Sequence, residues 1–377
     1  MGEPSRVAIL SPLYSGGAGA HGGITPVVTN LAAGLAAGGT EIDLLVRLPP
    51  GFAAPGGLPP RVRLYDLGAR HRLGTALAVA RHLRARTPAA LLAAGHRYNL
   101  AAAWAGRLTP AVRLVLSVHN AISPEASARG GFKQWQRLRA VDHGYRRADA
   151  IVCVSRGVAD DLLASTRIDP ARVRVIHNPI VTPELLRRGA EPLDHPWLAP
   201  GAPPVILGVG RLAPQKAFHH LIAAFAAVRA ARPCRLLILG EGGQRDALEG
   251  RIRALGLASD VALPGFVPNP YPYMRAAALL ALSSDFEGFG NVLVEAMALG
   301  TPVVSTDCPS GPAEILDRGR YGRLVPVGDA AALAQAIGET LDAPRDRAGL
   351  AEAAARFAVS AAVARYRSVL GLGPPCA

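Results

Sequence analysis

The chain has little that would tie it to a disulfide framework, a metal site or a membrane span. Its 377 residues include four cysteines, Cys153, Cys234, Cys308 and Cys376. None has pairing or metal-ligand spacing, so no bound metal and no cofactor are expected. Cys153 and Cys234 lie in apolar, strand-like runs and read as small buried hydrophobes. That usage suits a reduced, cytoplasmic chain. No run approaches the ~20 apolar residues needed to cross a bilayer. The N-terminus enters a strand at Arg6-Val-Ala-Ile-Leu10 with no long apolar segment before it, which argues against a secretory leader. Aromatic residues make up only 5% of the chain, and no nucleic-acid module is legible, so nucleic acid is not an expected partner.

Lysine is nearly absent as well: Lys133 and Lys216 are the only two, and arginine carries the rest of a net charge of +13. That charge is unevenly placed. Residues 1–180 hold 22 Lys and Arg against 10 Asp and Glu, whereas residues 181–377 hold 19 against 18. Codon bias toward arginine does not explain the asymmetry, and a basic half by its charge alone implies an anionic partner: a membrane face, a nucleic acid or a phosphorylated lipid.

What is present is hydrophobic and periodic. Half of the residues are hydrophobic, enough for a separate core in each of the two domains that this length suggests. Short apolar runs alternate with helical patterns throughout, the signature of parallel α/β architecture. Expected strands in the first half are Val7–Leu10, Ile42–Val46, Val62–Tyr65, Ala89–Ala93, Arg113–Val118, Ala150–Val154 and Val173–Ile176. Prolines break the pattern from Asn178-Pro179 to Pro204. A second alternation follows, with strands at Val205–Val209, Arg235–Leu239, Val261–Leu263, Ala278–Leu282 and Pro302–Ser305. The tail from Arg347 to Leu370 is Ala-rich and helical. The expectation is two tandem doubly wound, Rossmann-like domains, with ligand at the carboxyl ends of the strands and between the domains.

The densest chemistry lies in Ser283–Gly311. Glu287 and Glu295 stand eight positions apart, the first in a Gly-Phe-Gly turn after an apolar strand and the second inside a helix opening near Asn291. Free N–H groups at a helix start favour an anion, and glycine lets a ligand approach the backbone. On one helix, eight residues would separate the two carboxylates by ~12 Å, whereas a retaining hydrolase holds its pair ~5–5.5 Å apart. The glutamates therefore read as hydroxyl acceptors for two parts of one ligand, with a helix-surface carboxylate as the plain alternative for Glu295. Arg211 and Lys216 follow the strand Val205–Val209 and suit two phosphates, one as a planar fork and the other as a point charge.

The first half carries weaker signals. Gly17, Gly19 and Gly22 form a G-x-G-x-x-G with Asp43 downstream, but they start well beyond Leu10, and the helix opens only near Thr25-Pro26. The cluster reads as a flexible loop that offers backbone N–H groups to a diphosphate, or as a plain surface loop. His119 ends a strand at the edge where α/β sites form, and His96 sits near the end of the preceding one; a lone histidine so placed is more often structural than catalytic. The segment 131–147 mixes Phe132, Trp135 and Tyr145 with Lys133, Arg137, Arg139, Arg146 and Arg147. It is either an interfacial helix facing anionic lipid or a solvated helix that buries Trp135 and Leu138.

Taken together, Glu287-x7-Glu295, Gly208-x-Gly-Arg-Leu-x-x-Gln-Lys216, Gly240-Glu-Gly242 and Thr306-Asp-Cys-Pro-Ser-Gly-Pro-x-Glu314 resemble the retaining glycosyltransferases of family 4, particularly members that build bacterial surface and lipid-linked oligosaccharides. The resemblance is dense from about Val205 to Val327. It implies the GT-B fold: an acceptor domain 1–180, a donor domain 181–354, a cleft between them, and a C-terminal helix, 355–377, returning to the first domain.

The resemblance also implies roles. Arg211 and Lys216 would hold the donor diphosphate, and Glu287 would accept from hydroxyls of the transferred sugar beside backbone contacts from Gly288, Phe289, Gly290, Asn291 and Val292. Glu295 would take the ribose hydroxyls, and Phe266 and Val267 would meet the base. His119 would lie beside the reacting sugar, with Gly16, Gly17, Gly22 and Gly23 closing on the phosphates. Ala217-Phe218-His219-His220 departs from the family pattern after the lysine. The implied reaction is metal-independent sugar transfer with retention, from a nucleotide sugar (UDP-linked) to a lipid-linked or saccharide acceptor, by an enzyme at the inner face of the cytoplasmic membrane. The rivals are a nucleotide-sugar epimerase and a non-catalytic nucleotide-binding protein.

Overall fold

A strand buried on both faces needs apolar side chains in both directions, so it reads as a continuous apolar run rather than an alternating one. Ala90–Ala94, wholly buried along its length, is such a run. The computed structural model describes residues 5–12, 23–48, 58–69, 71–123, 131–344 and 346–373, with only the backbone of 131–134. They divide into two compact units: residues 1–180 with 359–377, and residues 181–358.

Unit 1 holds seven parallel strands: β1 (Arg6–Leu10), β2 (Glu41–Val46), β3 (Val62–Asp66), β4 (Ala90–Ala94), β5 (Arg113–Val118), β6 (Ala150–Cys153) and β7 (Val173–Val175). Their spatial order is β3-β2-β1-β4-β5-β6-β7. Val7, Ile9, Ile42, Leu44 and Leu92 face a core completed by Leu31 and Leu35 of the helix Ile24–Ala37 and by Tyr366 and Leu370 near the end of the chain. Each such aliphatic side chain contributes about 1.5–3 kcal/mol on burial.

Unit 2 repeats the plan with β8 (Val205–Val209), β9 (Arg235–Leu239), β10 (Val261–Gly265), β11 (Leu279–Leu282), β12 (Val303–Thr306) and β13 (Arg323–Val325). The order is β10-β9-β8-β11-β12-β13, all parallel. In each sheet the strand order reverses once, between β1 and β4 and between β8 and β11. The reversal opens a crevice at the carboxyl ends of the strands, where ligands of doubly wound sheets bind. Two doubly wound sheets are the expected architecture. β13 has no counterpart among the expected strands. The helices His96–Leu108 and Arg156–Ser165 also escaped the pattern.

The tail is two helices, Arg347–Ala355 in unit 2 and Val359–Val369 in unit 1. Between them Phe357 is buried edge-on to Phe289, with ring centroids 5.5 Å apart. Its carbonyl accepts from Val181 N at 3.1 Å. The second helix lies close against Ile24–Ala37 because residue 34 is glycine. A Cβ there would stand 2.6 Å from methyl groups of both Val359 and Val363.

Candidate functional site

The motifs singled out in the second half lie at the carboxyl edge of the unit 2 sheet, in the loops after its strands or in the helices those loops lead into. Arg211 and Lys216 follow β8, Gly240 and Gly242 follow β9, Phe266 and Val267 follow β10, Ser283 to Gly290 follow β11, and Asp307 to Gly311 follow β12. Neighbouring loops are locked together by hydrogen bonds. Leu212 N donates to Glu241 O at 2.9 Å and Gln244 N to Leu212 O at 3.0 Å. Gln215 clamps the next loop from both ends: its side chain donates to Phe286 O at 2.8 Å, and its carbonyl accepts from Asp285 N at 2.9 Å. Glycine is required where loops touch. At Gly242 (φ 157°) a Cβ would run into the Leu212 carbonyl, and at Gly311 (φ 96°) into the Phe289 carbonyl. This explains why Gly240-Glu-Gly242 and the segment ending at Gly311 accompany the glutamates: they support the loops that carry Arg211 and Glu287.

The charged side chains form one cluster. Glu287, 6% exposed, accepts from Lys216 Nζ at 2.5 Å and from Ser284 Oγ at 2.6 Å. Ser283 Oγ donates to the Lys216 carbonyl at 2.9 Å, and Thr306 Oγ1 to the Ser284 carbonyl at 2.6 Å. A hydrogen-bonded ion pair at this depth is worth little against two apolar residues, but losing one partner strands the other charge.

Glu295 lies inside the helix Asn291–Ala298 and is 8% exposed, not on the helix surface. Among the described residues nothing hydrogen-bonds to its carboxyl. Burial pushes its pKa up to about 7, with the charge of Lys216 pulling the other way. Tyr271 lies near it: burial and the Glu295 charge both raise the phenol, and Arg188 stands 5.3 Å over the ring. Arg211 is exposed, and no described residue pairs with it. Phe266 is 46% exposed, whereas Phe289 is buried, so its turn presents backbone.

In unit 1, His119 follows β5 at the carboxyl edge. Its Nε2 is 3.0 Å from Ser117 Oγ. Burial pulls the imidazole down to about 4, although the residue as a whole is only partly buried. The segment after it is held by Asp161, which accepts from Ile122 N at 2.5 Å, Ser123 N at 3.2 Å and the Ser123 hydroxyl. His96 opens the helix His96–Leu108, with Nδ1 3.4 Å from Tyr145 Oη. Tyr145 is 1% exposed and also receives Asn99 Nδ2 at 3.0 Å, so it does not belong to an outward aromatic face. Trp135, in contrast, is 53% exposed with Arg139 4.8 Å over its ring, while Leu138 is half-buried.

Asp43 lies within β2, 1% exposed, with His82 Nε2 at 2.9 Å and Arg86 Nε at 3.5 Å. Burial alone would raise its pKa, but His82 and Arg86 bring it below the usual range. A ribose at the sheet edge is not what this carboxylate meets, which removes the dinucleotide reading of the first glycine cluster.

The structure thus gathers Lys216, Glu287 and Glu295 in one cluster of unit 2, with Arg211, Phe266, Val267, Gly288, Phe289, Gly290, Asn291 and Val292 along the same edge. His119 lies at the edge of unit 1. Gly23 caps the helix Ile24–Ala37 and is exposed, whereas Gly16, Gly17 and Gly22 lie outside the described residues. Sequence reasoning missed Ser284, Gln215, Tyr271 and Arg188. Paired serines at the end of an apolar strand were a legible signal for Ser284. Arg188 had none, since it reaches Tyr271 only through tertiary packing.

Known proteins resemble both halves of the chain. The description "Glycosyl transferases group 1" matches residues 203–343 and "Glycosyltransferase Family 4" matches residues 21–183. The N-acetylgalactosamine-N,N'-diacetylbacillosaminyl-diphospho-undecaprenol 4-alpha-N-acetylgalactosaminyltransferase of Campylobacter jejuni is 36% identical over 198 residues, 52% of this chain and 52% of that protein. The match therefore spans about half the length of that relative. The D-inositol 3-phosphate glycosyltransferase of Streptomyces scabiei is 31% identical over 412 residues, 95% of this chain and 88% of that one. Among solved structures, Anabaena HepE in complex with UDP and glucose has a TM-score of 0.75 at 22% identity, covering 97% of this chain and 99% of that chain. This last likeness bears on the fold.

Proposed function

This chain belongs to the family 4 glycosyltransferases of GT-B fold, and on that premise we propose that it moves a sugar, with retention, from a UDP-sugar to a lipid-linked or saccharide acceptor of the cell envelope. The observation that carries the donor half is Glu295: a buried carboxyl with no partner among the described residues, beside a lysine. Leaving such a group unsatisfied costs about 1–3 kcal/mol or more. Two ribose hydroxyls donating into it would repay that cost and stabilise its charged form. Glu287 then accepts from the transferred sugar, and Phe266 and Val267 meet the base.

In the reaction the bond from the anomeric carbon to the diphosphate oxygen breaks, and one to the acceptor oxygen forms on the same face. The acceptor proton passes to the departing diphosphate. Arg211, Lys216 and the N–H groups at Asn291 and Val292 offset the charge that builds there. Lys216 is already turned toward Glu287, so an arriving diphosphate gives it a second anion without moving it far. We assign His119 to the transferred sugar and Gly16, Gly17, Gly22 and Gly23 to the phosphates.

The acceptor belongs to the basic unit 1. Trp135 and Trp104 are 53% and 55% exposed, each with an arginine stacked on it, Arg139 at 4.8 Å and Arg107 at 5.0 Å. Their helices lie side by side. Arginine and tryptophan together suit an anionic bilayer interface, and this supports peripheral attachment at the inner face of the membrane. Among the described residues no helix is long and apolar enough to cross it.

Thermal-shift screening against nucleotide sugars tests the donor assignment, since a ligand at 100 times its Kd adds ~2.7 kcal/mol of stability. A shift with UDP-sugars that Glu295→Ala abolishes is expected; equal shifts in the variant overturn the assignment. An epimer formed from the UDP-sugar alone would point to the epimerase instead. Activity lost in EDTA and restored by Mg²⁺ would contradict metal independence. Equal sedimentation with neutral and anionic vesicles would count against the membrane face.

A further inference from the structure

His119 does not stand alone. Its Nε2 is 3.0 Å from the hydroxyl of Ser117, two residues back and therefore on the same side of β5. Ser117 is 1% exposed, and its carbonyl is fixed by Asn99 Nδ2 at 2.9 Å and Gly95 N at 3.3 Å. On its other side stands the phenol of Tyr366, 2% exposed, with Oη 3.4 Å from Ser117 Oγ. Tyr366 comes from the helix Val359–Val369, the segment that follows unit 2 in sequence and packs within unit 1.

The direction of these bonds is constrained. Among the described residues Ser117 is the only hydrogen-bond partner of the Tyr366 phenol. Burial raises that phenol to about 12, so it keeps its proton near neutrality. If His119 Nε2 donated to Ser117 and Ser117 to Tyr366, the phenol hydrogen would be buried without an acceptor, which is costly. If Tyr366 donates to Ser117 and Ser117 to Nε2, every group is satisfied. The second polarity leaves the imidazole proton on Nδ1.

We propose that Tyr366 and Ser117 are positioning residues that hold His119 as the neutral Nδ1–H tautomer, with Nδ1 presented as a hydrogen-bond donor. An oxygen with lone pairs, such as a sugar hydroxyl or ring oxygen, is the ligand chemistry that this donor takes. The consequence for turnover rests on the glycosyltransferase reading of His119; the tautomer does not. The relay also ties the last helix of the chain to the group beside the reacting sugar.

Nitrogen NMR of the full chain labelled at its ten histidines tests the tautomer, with His119 assigned by difference from His119→Gln. The parent should show a protonated Nδ1 and a bare Nε2, and Ser117→Ala and Tyr366→Phe should move that signal toward a tautomer mixture while unfolding at the parent's temperature. A bare Nδ1 in the parent, or a His119 signal unmoved in Ser117→Ala, overturns the proposal. In transfer from a UDP-sugar, Ser117→Ala should lower kcat up to about 10-fold with little change in KM, as one hydrogen bond allows, and Ser117→Thr should restore it. Full activity of His119→Ala with the relay seen intact would remove the functional reading of His119 and leave the relay standing.

Discussion

The two sheets end in edges that handle charge in opposite ways. Unit 2 gathers ions: Lys216 pairs with Glu287, Arg211 is open to solvent, and Glu295 is buried beside them. Unit 1, more basic over its length, shows at His119 no ion pair but an uncharged line of hydroxyl, hydroxyl and imidazole. Net charge therefore says little about the chemistry of an edge. A leaving diphosphate needs fixed positive charge; a sugar hydroxyl needs a neutral donor or acceptor of known direction. Each edge also holds one titratable group that burial shifts toward its neutral form, a carboxyl raised to about 7 and an imidazole lowered to about 4.

Removing the cation should break this contrast most severely. Lys216→Ala should lower transfer about 10²–10³-fold, the usual effect of losing one group that stabilises transition-state charge. Initial rates with a saturating UDP-sugar measure it, and a variant as active as the parent would take the ionic edge out of the chemistry.

The buried titratable groups give a contrast in pH. Glu295 titrates near 7 folded against an ordinary 4.5, so the folded state binds the extra proton between these values and stability falls as pH rises through them. His119 titrates near 4 folded against 6.5, so the unfolded state binds the extra proton and stability falls as pH drops from 6.5 toward 4. Each contributes up to about 3 kcal/mol. In the ligand-free protein, Glu295→Gln should gain stability over the parent above pH 7, and His119→Gln should gain it near pH 4.5. Hydrogen exchange read separately over each unit would place the first gain in unit 2 and the second in unit 1; the reverse assignment would end the comparison.

Packing gives a smaller effect, confined to one unit. Gly34→Val should destabilise unit 1 by about 1–3 kcal/mol through overpacking against Val359 and Val363. Exchange should quicken in the helices Ile24–Ala37 and Val359–Val369 and stay unchanged around Glu287. The smallest expected change is at Asp161→Asn, where weaker acceptance from Ile122 and Ser123 should cost about 1 kcal/mol and slow transfer a few-fold by loosening the segment after His119. A variant with unchanged exchange at Ile122 would show that this carboxylate does not hold the segment.

Much of this molecule is legible without coordinates. Strand positions follow from apolar runs, since both faces of each parallel sheet are covered, and local spacing brings Arg211, Lys216 and Glu287 to strand ends. The strand β13 was not read, and the break of the tail at Phe357 has no local signal, because the Phe357 carbonyl accepts from Val181, far away in sequence. Trp135 illustrates the same limit. Its amphipathic segment fits exposure and burial equally, and only the packing of neighbouring helices turned the ring outward.

Sequence alone determined the two-sheet plan, the family and the identity of the charged residues, because these depend on local periodicity and on motifs of fixed spacing. Tertiary structure alone decided that Glu295 is a buried carboxyl and not a surface one, that Lys216 faces Glu287, and that Tyr366 reaches back 249 positions to Ser117. Burial, desolvation and hydrogen-bond direction arise from neighbours brought together by folding, and no local pattern records them.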